Sequence, residues 1–154
     1  MKKYFVASLA FLFVGCASGP TLVGKWQVSG MKSLPPNSKM YMTFSAPDKM
    51  DMEMDMPLAG IPGAGKDAGI NFHVLGTYKQ EGSKITMKAE DVKYTTKGIP
   101  DSVKGMLESN MGTQKKSMMD QINKEGAQSI EWKGNDEFTM KSATGDMTAT
   151  RMKG

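Results

Sequence analysis

The sequence predicts an all-β domain: an antiparallel, eight-stranded, up-and-down β-barrel with one inserted amphipathic helix. Short stretches alternate apolar and polar residues with period two, turn-forming residues separate them, and one segment alone changes to helical spacing. With 154 residues the chain can build one core and no more. Apolar residues make up 39% and charged residues of both signs 23%, which is a globular balance.

In chain order the strands are expected at Leu22 to Ser29, Lys39 to Ser45, Lys49 to Met56, Ile70 to Lys79, Lys84 to Ala89, Ser129 to Lys133, Glu137 to Ser142 and Met147 to Met152. The joints Ala46-Pro47-Asp48, Glu81-Gly82-Ser83, Gly134-Asn135-Asp136 and Thr144-Gly145-Asp146 carry turn chemistry. Strands joined so closely pair as an antiparallel meander, and closing the meander into a barrel removes the edges that would template aggregation. Between the fifth and sixth strands, from Asp101 to Lys124, the residues Val103, Met106, Leu107, Met111, Met118 and Ile122 recur at helical spacing. Asp101 is the expected N-cap and Gly126 the expected stop, with Gly105 and Gly112 as weak points. Such a helix would plug one end of the barrel or cover it as a movable lid.

The stretch from Pro57 to Gly69, rich in glycine, proline and alanine, is expected to be a long loop. Gly60, Gly65 and Lys66 in it have the spacing of a phosphate-binding loop, but Asp67 stands where a hydroxyl must meet magnesium, and no helix pattern follows. Nucleotide binding is therefore not expected.

Residues 1–15, MKKYFVASLAFLFVG, place two lysines before an apolar run too short to span a membrane, and Cys16 follows. Phe13-Val14-Gly15-Cys16 resembles the bacterial lipobox. That resemblance implies a signal peptide over 1–15, lipid on Cys16, a tether over 16–21 and a domain over 22–154. Ala17 after the cysteine implies an outer-membrane anchor, with the domain in the cell envelope and facing the periplasm. Losing Lys2 and Lys3 takes the basic residues from 20 to 18 against 16 acidic ones, so nucleic acid has no electrostatic attraction to the mature domain.

Leu22-Val23-Gly24-Lys25-Trp26 at the first strand and Thr150-Arg151-Met152 at the last, with Gly76-Thr77-Tyr78-Lys79 between, resemble the small bacterial lipocalin-like (calycin) lipoproteins. The resemblance implies structural roles for Gly24, Trp26 and Arg151: the tryptophan closes the barrel floor and the arginine packs over its ring, a pairing that cation–π attraction favours. It also implies an interior cavity for a small apolar or amphipathic ligand.

From Cys16 onward there are fifteen methionines against sixteen leucine, isoleucine and valine residues together, so methionine is a main core material. Met50, Met52, Met54 and Met56 alternate with Asp51, Glu53 and Asp55, and Met40 and Met42 repeat the pattern one strand earlier. Period two sends the thioethers to one face and the carboxylates to the other. These six methionines are the candidate cavity lining. A different reading is a Cu(I) or Ag(I) site made of Met50, Met52, Met54, Met56 and His73, because thioether and imidazole suit copper. If the 57–69 loop folds symmetrically, His73 falls opposite Glu53, and its facing decides the matter. A structural envelope protein with a filled core and no ligand is a further alternative.

The single cysteine and single histidine exclude a disulfide framework and the common structural zinc sites. No nucleophile has a histidine partner nearby, so the expected activity is binding without catalysis and without a resident cofactor.

Overall fold

The computed structural model describes residues 19–31, 34–58, 65–142 and 145–153. The signal segment, Cys16 and positions 59–64 of the long loop lie outside the described residues.

The eight strands are β1 (Gly24–Ser29), β2 (Lys39–Ser45), β3 (Lys49–Pro57), β4 (Gly69–Glu81), β5 (Lys84–Lys97), β6 (Ala127–Trp132), β7 (Glu137–Ser142) and β8 (Gly145–Arg151). Each pairs antiparallel with its sequence neighbour, and β1 pairs with β8 to close the barrel. One helix, α1 (Asp101–Lys124), lies between β5 and β6. Alternation decides which residues fill the interior: Trp26 and Val28 from β1, Met40, Met42 and Phe44 from β2, and Phe72 and Val74 from β4 are all buried, while their neighbours along each strand face outward.

The largest departure from the sequence pattern is the length of β5. β5 was expected to end at Ala89 and runs to Lys97, because a β-bulge interrupts its alternation. Leu75 pairs with Asp91 but Gly76 pairs with Ala89, which leaves Glu90 as the extra residue. Before the bulge Ile85, Met87 and Ala89 are buried; after it Val92 is. One inserted residue moves the inward phase from odd to even positions, which hides the second half of the strand from a search for period two.

The bulge also requires glycine on the facing strand. A Cβ at Gly76 would overlap the carbonyl oxygen of Lys88, with Ala89 Cα only 3.1 Å away.

Past Thr86, β5 has no strand partner among the described residues on the side away from β4, since β5 and β6 share only the pairs Lys84–Ser129, Ile85–Gln128 and Thr86–Ala127. The helix packs chiefly on β5 and covers this seam. Asn123 fastens it there: its Oδ1 accepts from the Ala89 N–H at 2.8 Å and its Nδ2 donates to the Ala89 carbonyl at 3.2 Å. A side-chain amide thus stands in for the missing ladder bonds at the bulge.

At its start the helix departs from expectation. Pro100 occupies the N-cap, in extended conformation and with no side-chain capping bond, and Asp101 is a first-turn residue whose charge suits the helix N-terminus. The helix continues through Gly105 and Gly112. Its buried stripe is narrower than the sequence suggests: Met111 is buried, Leu107, Met118 and Ile122 pack against the core, and Met106 is 65% exposed. Among the described residues no helix is long and apolar enough to cross a membrane.

Candidate functional site

The floor of the barrel is built on the first strand. Trp26 is fully buried and meets Phe138 edge-to-face, with ring centroids 4.7 Å apart, and Trp132 at 6.0 Å. Its indole Nε1 donates to the Leu22 carbonyl at 2.7 Å, so the one polar atom of the ring is satisfied. Arg151, paired with Trp26 across the β1–β8 seam, lays its guanidinium 4.1 Å from the centre of that ring. It donates to the carbonyls of Val23 at 2.8 Å and Thr21 at 2.7 Å, and its Nε lies 3.3 Å from the Asp136 carboxylate. Gly24 sits beneath this clamp at φ 135°, where a Cβ would stand 2.5 Å from Arg151 Nη1. Tyr78, edge-to-face with Phe44 at 4.8 Å, has its phenol pKa raised above the ordinary value, by burial first and by the Asp48 carboxylate second.

Farther into the barrel, beneath the last turns of α1, lies a cavity of about 90 Å³. Its walls are Met31, Met40, Met42, Met52, Met54, Met87, Met140 and Met147 from the barrel side and Met118, Gln121, Ile122 and Glu125 from the helix side. Four of the six methionines expected as lining are therefore there. Met50, opposite Phe44, is buried toward the Gly24 end, and Met56, opposite Ile70, lies half-buried toward the other end.

Five cavity methionines were not anticipated. Met87, Met140 and Met147 each alternate with a buried neighbour on their strand, at Ala89, Phe138 and Ala149, so the same period-two reading applied to β5, β7 and β8 finds them. Met118 belongs to the helical stripe. Met31 follows β1 in a loop and carries no periodic signal.

His73 is not among the cavity residues. The register puts it opposite Glu53, as a symmetric hairpin requires, and on the outer face, where its Nε2 lies against the Asp51 carboxylate. The metal site of Met50, Met52, Met54, Met56 and His73 is therefore not assembled: strand alternation sends the imidazole out and the thioethers in. The carboxylates Asp51, Glu53 and Asp55 line the outer face with it, where Glu53 meets Lys25 at 3.3 Å and Asp55 accepts from Asn71 at 2.6 Å. Among the described residues no group of three or more His, Cys, Asp or Glu side chains could hold a metal ion.

A larger groove of about 460 Å³ opens at the far end of the β3–β4 hairpin, walled in part by Lys39, Asp55, Lys66, Asp67 and Lys97. Its charges are mixed and face solvent. The methionine cavity is smaller, but nine of its twelve lining residues are methionine, and an apolar, adaptable lining between barrel and helix is the stronger mark of a binding site. In comparison with known proteins, no family model and no curated relative matches this chain.

Proposed function

We propose that this domain is a lipocalin-like binding protein of the bacterial cell envelope, tethered to the outer membrane through lipid on Cys16. It holds a small apolar or amphipathic molecule, without transforming it, in the methionine cavity beneath α1. The observation that carries this reading is the position of the cavity: it lies between the barrel interior and the helix, and nine flexible thioether side chains form most of its wall. Methionine repacks around guests of different shape at low cost. At about 90 Å³ the space is smaller than usual organic-ligand sites, roughly 300–1,000 Å³, so a guest of that kind enters as the helix moves outward and the thioethers rearrange.

The mature chain from position 16 onward, carrying Cys16→Ser and so free of lipid, is expected to take up a neutral fluorescent naphthylamine with enhanced emission. Ile122→Trp fills the space under the helix and is expected to abolish that uptake, with the far-ultraviolet circular dichroism unchanged. Asn123→Ala removes both bonds to Ala89 and is expected to speed uptake several-fold. Absence of uptake by the parent chain, or uptake indifferent to Ile122→Trp, would overturn the reading. For the anchor, the protein is expected to take up radiolabelled palmitate in cells, and Cys16→Ala is expected to abolish the label.

A further inference from the structure

We propose that the cavity at its resting volume is a site for one soft monovalent cation, Cu(I) or Ag(I), held by thioether sulfur atoms presented as cross-strand pairs. The inference rests on the cavity being the binding site but not on an organic guest.

The donors come from strand register. Met40 faces Met54 and Met42 faces Met52 across β2 and β3, while Met140 faces Met147 across β7 and β8. Directly opposed residues on one face of an antiparallel pair have Cβ atoms about 4.5–5.5 Å apart. All six of these side chains border the same cavity. Three pairs of long, flexible thioethers around about 90 Å³ can bring several sulfur atoms to one point. Thioether sulfur selects Cu(I) and ions like it over hard cations, which need oxygen ligands.

The charges around the cavity point the same way. Glu125 supplies a carboxylate to the wall, and among the described residues no lysine or arginine lines it. Glu125 is also the C-cap of α1, so the negative end of the helix dipole lies at this wall. Beside it Gln128, only 4% exposed on the inner face of β6, donates from its Nε2 to Glu125. The Gln128 Oε1 is buried without a hydrogen-bond partner among the described residues. A carboxylate and the C-terminal end of a helix beside neutral sulfur donors suit a cation better than an anionic amphiphile.

The test is native mass spectrometry and competition titration of the Cys16→Ser chain, with Ag(I) as a redox-inert probe and Cu(I) supplied under ascorbate without oxygen. One ion per chain is expected. Met42→Leu/Met52→Leu keeps the apolar volume and removes two donors, and it is expected to weaken binding at least tenfold with the far-ultraviolet circular dichroism unchanged. Glu125→Gln is expected to weaken binding less, with the stoichiometry unchanged, and His73→Ala to leave it unaltered. No bound ion, binding that survives the double leucine substitution, or binding lost with His73→Ala would each overturn the proposal. Naphthylamine uptake without ion binding would overturn this inference alone, and failure of both would overturn the cavity as a site.

Discussion

Trp26→Ala is expected to cost about 3–5 kcal/mol of folding stability, a large share of the roughly 5–15 kcal/mol that holds a domain of this kind together. The indole fills the floor of the barrel against Phe138 and Trp132. Its removal also strands the Leu22 carbonyl, which accepts from Nε1, and takes the ring from under the Arg151 guanidinium. Cavity, lost hydrogen bond and lost cation–π contact act in the same direction. Chemical denaturation checks the magnitude, and thermal unfolding should shift down by on the order of 10 °C or more. Trp26→Phe keeps an aromatic ring in the floor but loses the donor and part of the volume, so it should recover part of the loss. A cost below about 1 kcal/mol for the alanine variant would mean that the floor is not a packed layer.

Gly76→Ala is expected to destabilise by at least about 2 kcal/mol, although it adds a single methyl group. The obstacle is the main chain of β5: the Lys88 carbonyl oxygen occupies the place the methyl would take, and a backbone atom in a paired strand cannot rotate aside. The bulge would have to open or β4 and β5 separate. Gly105→Ala supplies the contrast, because that residue lies in α1 with nothing within 4 Å of the added carbon. There the same chemical change should stabilise the fold by about 0.5–1 kcal/mol. Equilibrium unfolding of the two variants side by side reads out both signs.

Much of the architecture is legible in the sequence because the barrel repeats one rule. The Met/Asp alternation of β3 states its inward and outward faces outright, and the hairpin to β4 places His73 opposite Glu53 by counting alone. The limits of α1 follow from helical spacing. Two kinds of information were not legible. Glu90 shifts the phase of β5, and a one-residue insertion looks the same as the end of a strand until the partner strand is known. The site is assembled from distant segments: Met42 and Met52 announce themselves in neighbouring strands, but their meeting with Met140, Met147 and Met118 depends on barrel closure and on where α1 lies. The pairing of Asn123 with Ala89 is of the same kind, since no local pattern marks an asparagine that will serve a strand edge.

The three-pair junction between β5 and β6 gives the cylinder an uneven resistance to opening. The β3–β4 junction is held by nine register pairs and the β5–β6 junction by three, so thermal fluctuation should part the wall at the latter long before the former. The helix and its asparagine lie beside that weak line. Under the binding role proposed above, admission of a guest would not compete with global unfolding: the wall can part where it is thinnest while the tryptophan floor stays closed.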